Sequence, residues 1–151
     1  MSNNDANLKE KLKQALNSTF KVISDDFQIN SKLEKNKSSD KFNFFELDNL
    51  RTKSDFIKAR AETDSLALKK KFSNDQLYKQ NSPAKSSCKL LYSIAEKIRY
   101  ESLGGKMLKG IEKNFTENYN QIINLKRKDQ LKTRDDVSVN EAFELYMLKK
   151  F

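Results

Sequence analysis

Leu8, Leu12, Leu16, Phe20 and Ile23 recur at steps of three and four residues. That spacing predicts an amphipathic helix from about Asp5 to Ser24, closed by Asp25-Asp26. The polar start, Met1 to Asn7, reads as frayed. The period then changes. Phe27, Ile29, Ser31 and Leu33 alternate with polar residues, and Phe42 and Phe44 alternate again after a polar stretch. A short β-hairpin near residues 27–46 and a loop with aromatic anchors both fit this pattern. A hairpin there would have to pack on helices, because two strands alone are marginal in water.

Helical spacing returns with Ile57, Ala61, Leu68 and Phe72, behind Thr52 and Asp55 as a capping pair. Ser73-Asn74-Asp75 should end this helix, and a turn carrying Leu77 and Tyr78 follows. A third helix is expected from Ser82 as N-cap and Pro83 at the first helical position. Its apolar stripe is Cys88, Leu91, Ala95 and Ile98, with Tyr92 and Leu103 beside it, and Gly104-Gly105 is its expected stop. A fourth helix carries Leu108, Ile111, Phe115, Ile122 and Leu125. Ser138 and Glu141 form a capping box for a last helix with Val139, Ala142, Phe143 and Tyr146. The fold class is mainly α: about five helices in a small bundle, one mostly helical domain over 8–151.

Composition narrows the chemistry. The 151 residues contain no His and one Cys. This removes imidazole base catalysis, His metal ligands, a Ser-His-Asp triad and a disulfide framework. Charged residues make up 34% and hydrophobic ones 36%, against a usual charged share of about 25%. The core must be modest, and some helix faces are thinly covered. A partner or downstream chain would cover one of them. No segment approaches the roughly 20 apolar residues of a membrane span, and no signal peptide follows Met1. No membrane association and a cytoplasmic location are expected. The net charge of +9 has two readings. Its short runs, Lys69-Lys70-Lys71, Lys126-Arg127-Lys128 and Lys149-Lys150, are scattered among acids and read as solvated surface. The alternative, a basic helical nucleic-acid-binding protein, lacks clustered charge and any recognition motif.

Candidate chemical groups read mostly as structure. Cys88 lies on the stripe of the third helix and is expected to be packed. Asp64 shares the face of Ala61 and Leu68, so it needs a partner, and Arg60 is four residues away. Glu96 and Arg99 form a local pair. Glu96 and Glu101 are about 140° apart on a helix and cannot jointly flank a substrate. Flank or outer-face positions are expected for Glu96, Arg99 and Glu101. Gly104-Gly105-Lys106, with Gly110 nearby, is not a phosphate loop, since a helix precedes it and Met107 follows. Asp64-Ser65-Leu66 does not complete an Asp-x-Ser-x-Ser metal motif. No catalytic, cofactor-binding or metal residue is expected.

Several stretches, in order, resemble a known family. They are Arg60-Ala61-Glu62-Thr63-Asp64-Ser65-Leu66-Ala67-Leu68-Lys69, then Leu77-Tyr78 and Ser82-Pro83. The densest is Glu96-Lys97-Ile98-Arg99-Tyr100-Glu101-Ser102-Leu103-Gly104, followed by Met107-Leu108-Lys109-Gly110-Ile111-Glu112-Lys113-Asn114-Phe115. This resembles the front helical domain of the CobT subunit of aerobic cobaltochelatase, in order and spacing over about Lys53 to Phe115. Val139 to Leu148 matches in pattern, and the first fifty residues match in layout. The resemblance implies a non-catalytic assembly domain in ATP-dependent cobalt insertion into a corrin precursor, during cobalamin biosynthesis. The implied partners are an AAA+ ring subunit and a large tetrapyrrole-binding subunit. The complex would use ATP, magnesium and cobalt, with none held by this chain. The family's C-terminal von Willebrand factor A domain is absent, and the chain reads as the N-terminal part of a longer protein. A generic helical adaptor without the chelatase role would carry the same residues. Arg60, Asp64, Glu96, Arg99, Glu101, Gly104 and Asn114 are the candidate group. They form either a polar network between helices or a face for the ring subunit.

Overall fold

The computed structural model describes residues 3–27, 52–129 and 137–148. Among these are six helices and no strand: α1 Asn3–Ser24, α2 Lys53–Phe72, α3 Asp75–Asn81, α4 Ser86–Met107, α5 Lys109–Asp129 and α6 Val139–Leu148. The mainly α reading holds, with one helix more than expected. The extra one is α3, where a turn was anticipated. Asn74 caps it, its side-chain oxygen accepting from the backbone N–H groups of Gln76 and Leu77. The hairpin expected near residues 27–46 lies outside the described residues, save Phe27, which sits in a turn.

Helix α1 buries the C-terminal part of its stripe, Leu16, Phe20 and Ile23, while Leu8 at the other end is exposed. It stops at Asp25, whose φ of 56° is left-handed, a conformation Asp tolerates better than most residues. Asp25 and Asp26 pair with Lys71 and Lys70 at the end of α2. The two helices therefore lie side by side, running the same way.

Helix α2 is the central element. The expected capping pair is present: Asp55 N–H donates to Thr52 Oγ1 at 3.2 Å, and Thr52 N–H donates to Asp55 Oδ2 at 2.9 Å. Its buried residues are Ala59, Ala61, Thr63, Asp64, Ser65, Ala67 and Leu68. These spread over about two-thirds of the helix circumference instead of following one stripe, because α1, α4 and α5 all pack on it, while Lys58, Leu66 and Lys69 stay exposed. Small side chains let three neighbours approach one axis. Ser54 reaches Gln121 and Asp64 reaches Asn114, so α5 runs antiparallel to α2. The core between them gathers Phe20, Leu68, Tyr100, Ile111, Phe115 and Tyr119, with Phe72 and Leu148 at its edges.

Two expected boundaries move. Helix α4 begins at Ser86, not at Ser82-Pro83. Ser82 instead ends α3, with φ −68° and ψ 125°. The ring of Pro83 favours this extended form in the residue before it, so the proline separates α3 from α4. Nor does Gly104-Gly105 stop α4. The helix continues to Met107, and only Leu108 stands between it and α5. The glycines are buried. A Cβ built on Gly104 would overlap both methyl groups of Leu68, whereas one on Gly110 meets nothing within 4 Å. Gly104 is thus the contact at which α4 closes on α2.

Gly104→Ala should therefore lower stability by about 1–3 kcal/mol through overpacking, outweighing a helix-propensity gain of about 1 kcal/mol. Gly110→Ala should keep that gain. Chemical denaturation of the two variants checks this, and equal effects would rule out the close approach at Leu68.

Candidate functional site

The polar side chains that bridge helices around α2 form three clusters, two of them centred on buried carboxylates. The deepest is centred on Glu101 of α4, whose residue exposure is only 1%. Ser65 of α2 donates its hydroxyl to Glu101 Oε1 at 2.5 Å. Tyr119 of α5 donates its hydroxyl to Oε2, also at 2.5 Å. One carboxylate thus joins three helices. Burial raises the pKa of Glu101, opposed by the nearby Lys97 ammonium and the two hydroxyl donors, while Glu144 on α6 raises it further. The Tyr119 hydroxyl is pushed up by burial and by the Glu101 charge. Tyr100 is held at about 12, again chiefly by burial. Lys97 Nζ also lies 5.5 Å from the centre of the Tyr119 ring, within cation–π range.

The second cluster is simpler. Asp64 of α2, also 1% exposed, accepts from Asn114 Nδ2 of α5 at 2.7 Å. Burial raises its pKa, and the Asn114 bond and the Arg60 charge partly offset the rise. Arg60 itself is exposed and acts through its charge.

The third cluster sits at the elbow between α2 and α3. Arg99 donates through Nε and Nη2 to the two oxygens of Glu96, each at 2.7 Å. Nη2 also donates to the backbone carbonyl of Phe72 at 2.7 Å. Ser73 donates its hydroxyl to Glu96 Oε1 at 2.8 Å. A planar, forked guanidinium can bind the carboxylate in this two-pronged way while capping an orphan carbonyl at the end of α2. These bonds lower the pKa of Glu96, Arg99 contributing most.

The candidate residues are therefore separated into pairs. Asp64 and Asn114 come together, as do Glu96 and Arg99. Arg99 and Glu101 do not meet, and each bonds different neighbours. Glu96 and Arg99 lie at the edge of the fold, but Glu101 is in its interior, against the expectation of a flank or outer face. Gly104 contributes close packing only. Ser65, Ser73, Lys97 and Tyr119 complete the clusters without having been singled out. Tyr119 follows Phe115 by four residues, and their rings lie 6.5 Å apart, so the α5 stripe could have pointed to it. Cys88, expected in the core, is exposed. The first turn of α4, residues 86–90, is exposed throughout.

Chemically, the Glu101 and Asp64 clusters bind helix to helix. Their polar atoms face one another across interfaces. No group of three or more Asp, Glu, Cys or His that could hold a metal ion occurs among the described residues. No described helix is long and apolar enough to cross a membrane.

The fold and these clusters define an all-α protein whose buried ionisable groups tie a central helix to its neighbours. The family model described as "Cobalamin biosynthesis protein CobT" matches residues 6–150. The chain belongs to that family, and is a CobT-like cobaltochelatase subunit chain of cobalamin biosynthesis. The match reaches well beyond the stretch of about 53–115 on which the resemblance was read. No curated protein and no solved structure matches the chain.

Proposed function

We propose that this chain is a non-catalytic assembly domain of a cobaltochelatase, supporting ATP-dependent cobalt insertion into a corrin precursor. The family match over residues 6–150 carries the proposal. The bonds of the buried carboxylates Asp64 and Glu101 to neighbouring helices support a structural role for them. Arg60, Asp64, Glu96, Arg99, Glu101, Gly104 and Asn114 then fix the shape that partners recognise. The partners are an AAA+ ring subunit and a large tetrapyrrole-binding subunit, in the cytoplasm. ATP and magnesium act on the ring subunit, and cobalt is the substrate of the complex. In this reading the chain holds none of them.

The test is reconstitution. The full chain is combined with the purified ring and large subunits, and cobalt insertion is followed by the absorbance change of the corrin. Insertion should require all three components, and the chain should co-elute with at least one partner. Insertion at the full rate without the chain would overturn the proposal.

A further inference from the structure

All buried residues of α4 lie at or beyond Ile98, and α3 buries none. Yet the first half of α4 is not polar. Ile94 and Leu90 stand seven and eleven residues before Glu101, and Leu91 stands seven before Ile98. On a helix these offsets return to the same side. The side of α4 that enters the core therefore continues toward its start as an aliphatic seam, half-buried at Ile94 and Leu91 and exposed at Leu90. Leu90 remains 47% exposed, and Leu77 on neighbouring α3 is 56% exposed.

This projecting arm is held in place. Tyr78 of α3 stacks on Tyr92 of α4, ring centres 5.0 Å apart. At its base, Arg99 binds both Glu96 and the Phe72 carbonyl, fixing the α2–α3 elbow against α4. An ordered arm presents its apolar seam without a further ordering cost on binding. Its charge is one-sided. Between Asp75 and Ala95 the ionisable side chains that carry charge are Lys79, Lys85 and Lys89, against Asp75 alone. All three lysines are exposed, and Lys85 and Lys89, four residues apart, lie to one side of Leu90. Asp75 lies in the first turn of α3, where the helix dipole already balances it.

We infer that α3 and the first half of α4 form a docking arm for an acidic segment of another subunit, one that lays aliphatic side chains along Leu90, Leu91 and Ile94 and carboxylates against Lys85 and Lys89. A second copy of this chain is the poorer occupant, because it would bring the same lysines together. The inference rests on the assembly role proposed above.

The experiment measures the affinity of the full chain for the purified ring subunit and the purified large subunit separately, at two salt concentrations. Leu90→Ser and the double variant Lys85→Glu/Lys89→Glu are compared with wild type, after thermal melts show that they fold. Both changes are at exposed positions, so melting temperatures should stay near wild type. Binding to one subunit should weaken at least tenfold in each variant. The wild-type complex should also weaken as salt rises, and the lysine-reversed one much less. Wild-type affinity in Leu90→Ser, or unchanged binding after lysine reversal, would overturn the docking arm while leaving the assembly role standing. Wild-type chain that binds neither subunit would overturn both. Self-association of the chain alone that Leu90→Ser abolishes would overturn the acidic partner in favour of a second copy.

Discussion

Ile98→Asp should remove most of the stability of the fold. Ile98 is 5% exposed and stands at the point where α4 enters the bundle. Its neighbours along the helix are Tyr100, Glu101 and Gly104-Gly105, all buried. A carboxylate placed there would be a second buried acid one turn from Glu101, with no hydroxyl or cation of its own. The effective penalty for burying an ion is several kcal/mol. A natural domain has only about 5–15 kcal/mol in total. The melting temperature should therefore fall by roughly 10 °C or more, or the cooperative transition should vanish. Ile98→Leu supplies the control. It keeps volume and hydrophobicity and should cost less than about 1.5 kcal/mol. If Ile98→Asp melted like wild type, residue 98 could not face the interior, and the inward side of α4 would have to be reassigned.

The same helix shows what the sequence discloses and what it hides. Ile98 is legible from its stripe, as are Leu16, Phe20 and Ile23 on α1, because each has an apolar neighbour three or four residues away. The capping box of Thr52 and Asp55 is legible because it is local. Glu101 is not. Glycine pairs usually end helices, and reading Gly104-Gly105 that way removes the turn that would have placed Glu101 between Ile98 and the glycines on the inward side. Gly104 leaves room for Leu68, and Leu68 belongs to a different helix. Contacts between helices leave little local trace. Helix α2 makes the same point differently. Three neighbours bury most of its circumference with Ala, Ser, Thr, Asp and Leu68, so no single hydrophobic stripe marks its orientation. Cys88 fails in the opposite direction. Its stripe is real, but the first turn of α4, where it lies, is exposed. An assembly role could be proposed only through the family resemblance, since these residues carry no motif that would suggest it.

Glu101→Ala should be nearly as damaging as Ile98→Asp, although it removes a charge from the interior. The carboxylate accepts from Ser65 and Tyr119, and its loss strands two buried hydroxyls at about 1–3 kcal/mol each, besides leaving a cavity. Glu101→Gln separates the acceptor role from the charge. The amide keeps one acceptor oxygen, and its NH₂ can donate to the remaining hydroxyl, so the fold should survive. Its pH response should differ from wild type. A carboxyl whose folded pKa lies above its ordinary value of 4.5 contributes stability that is present below that value and is lost as pH rises through the folded pKa. Glu101 and Asp64 are both raised, mainly by burial. Lowering the pH from neutrality should therefore first stabilise the wild type. Glu96 works in the other direction. Its pKa is lowered, chiefly by Arg99, so its contribution is present above the ordinary carboxylate range and is lost as pH falls further. The melting temperature should pass through a maximum on the acid side of neutral. In Glu101→Gln the rise toward that maximum should shrink to the part owed to Asp64, while the acid-side fall set by Glu96 stays. Around Glu101 the groups that could disturb this are Lys97 on α4, Glu144 on α6 and Tyr100 and Tyr119. Both tyrosines are raised, so neither titrates between pH 4 and 8. Thermal melts of the wild type, Glu101→Gln and Glu101→Ala across that range decide the matter. Identical pH profiles for wild type and Glu101→Gln would mean that burial does not raise the Glu101 carboxyl above its unfolded value, and would overturn this account of the cluster.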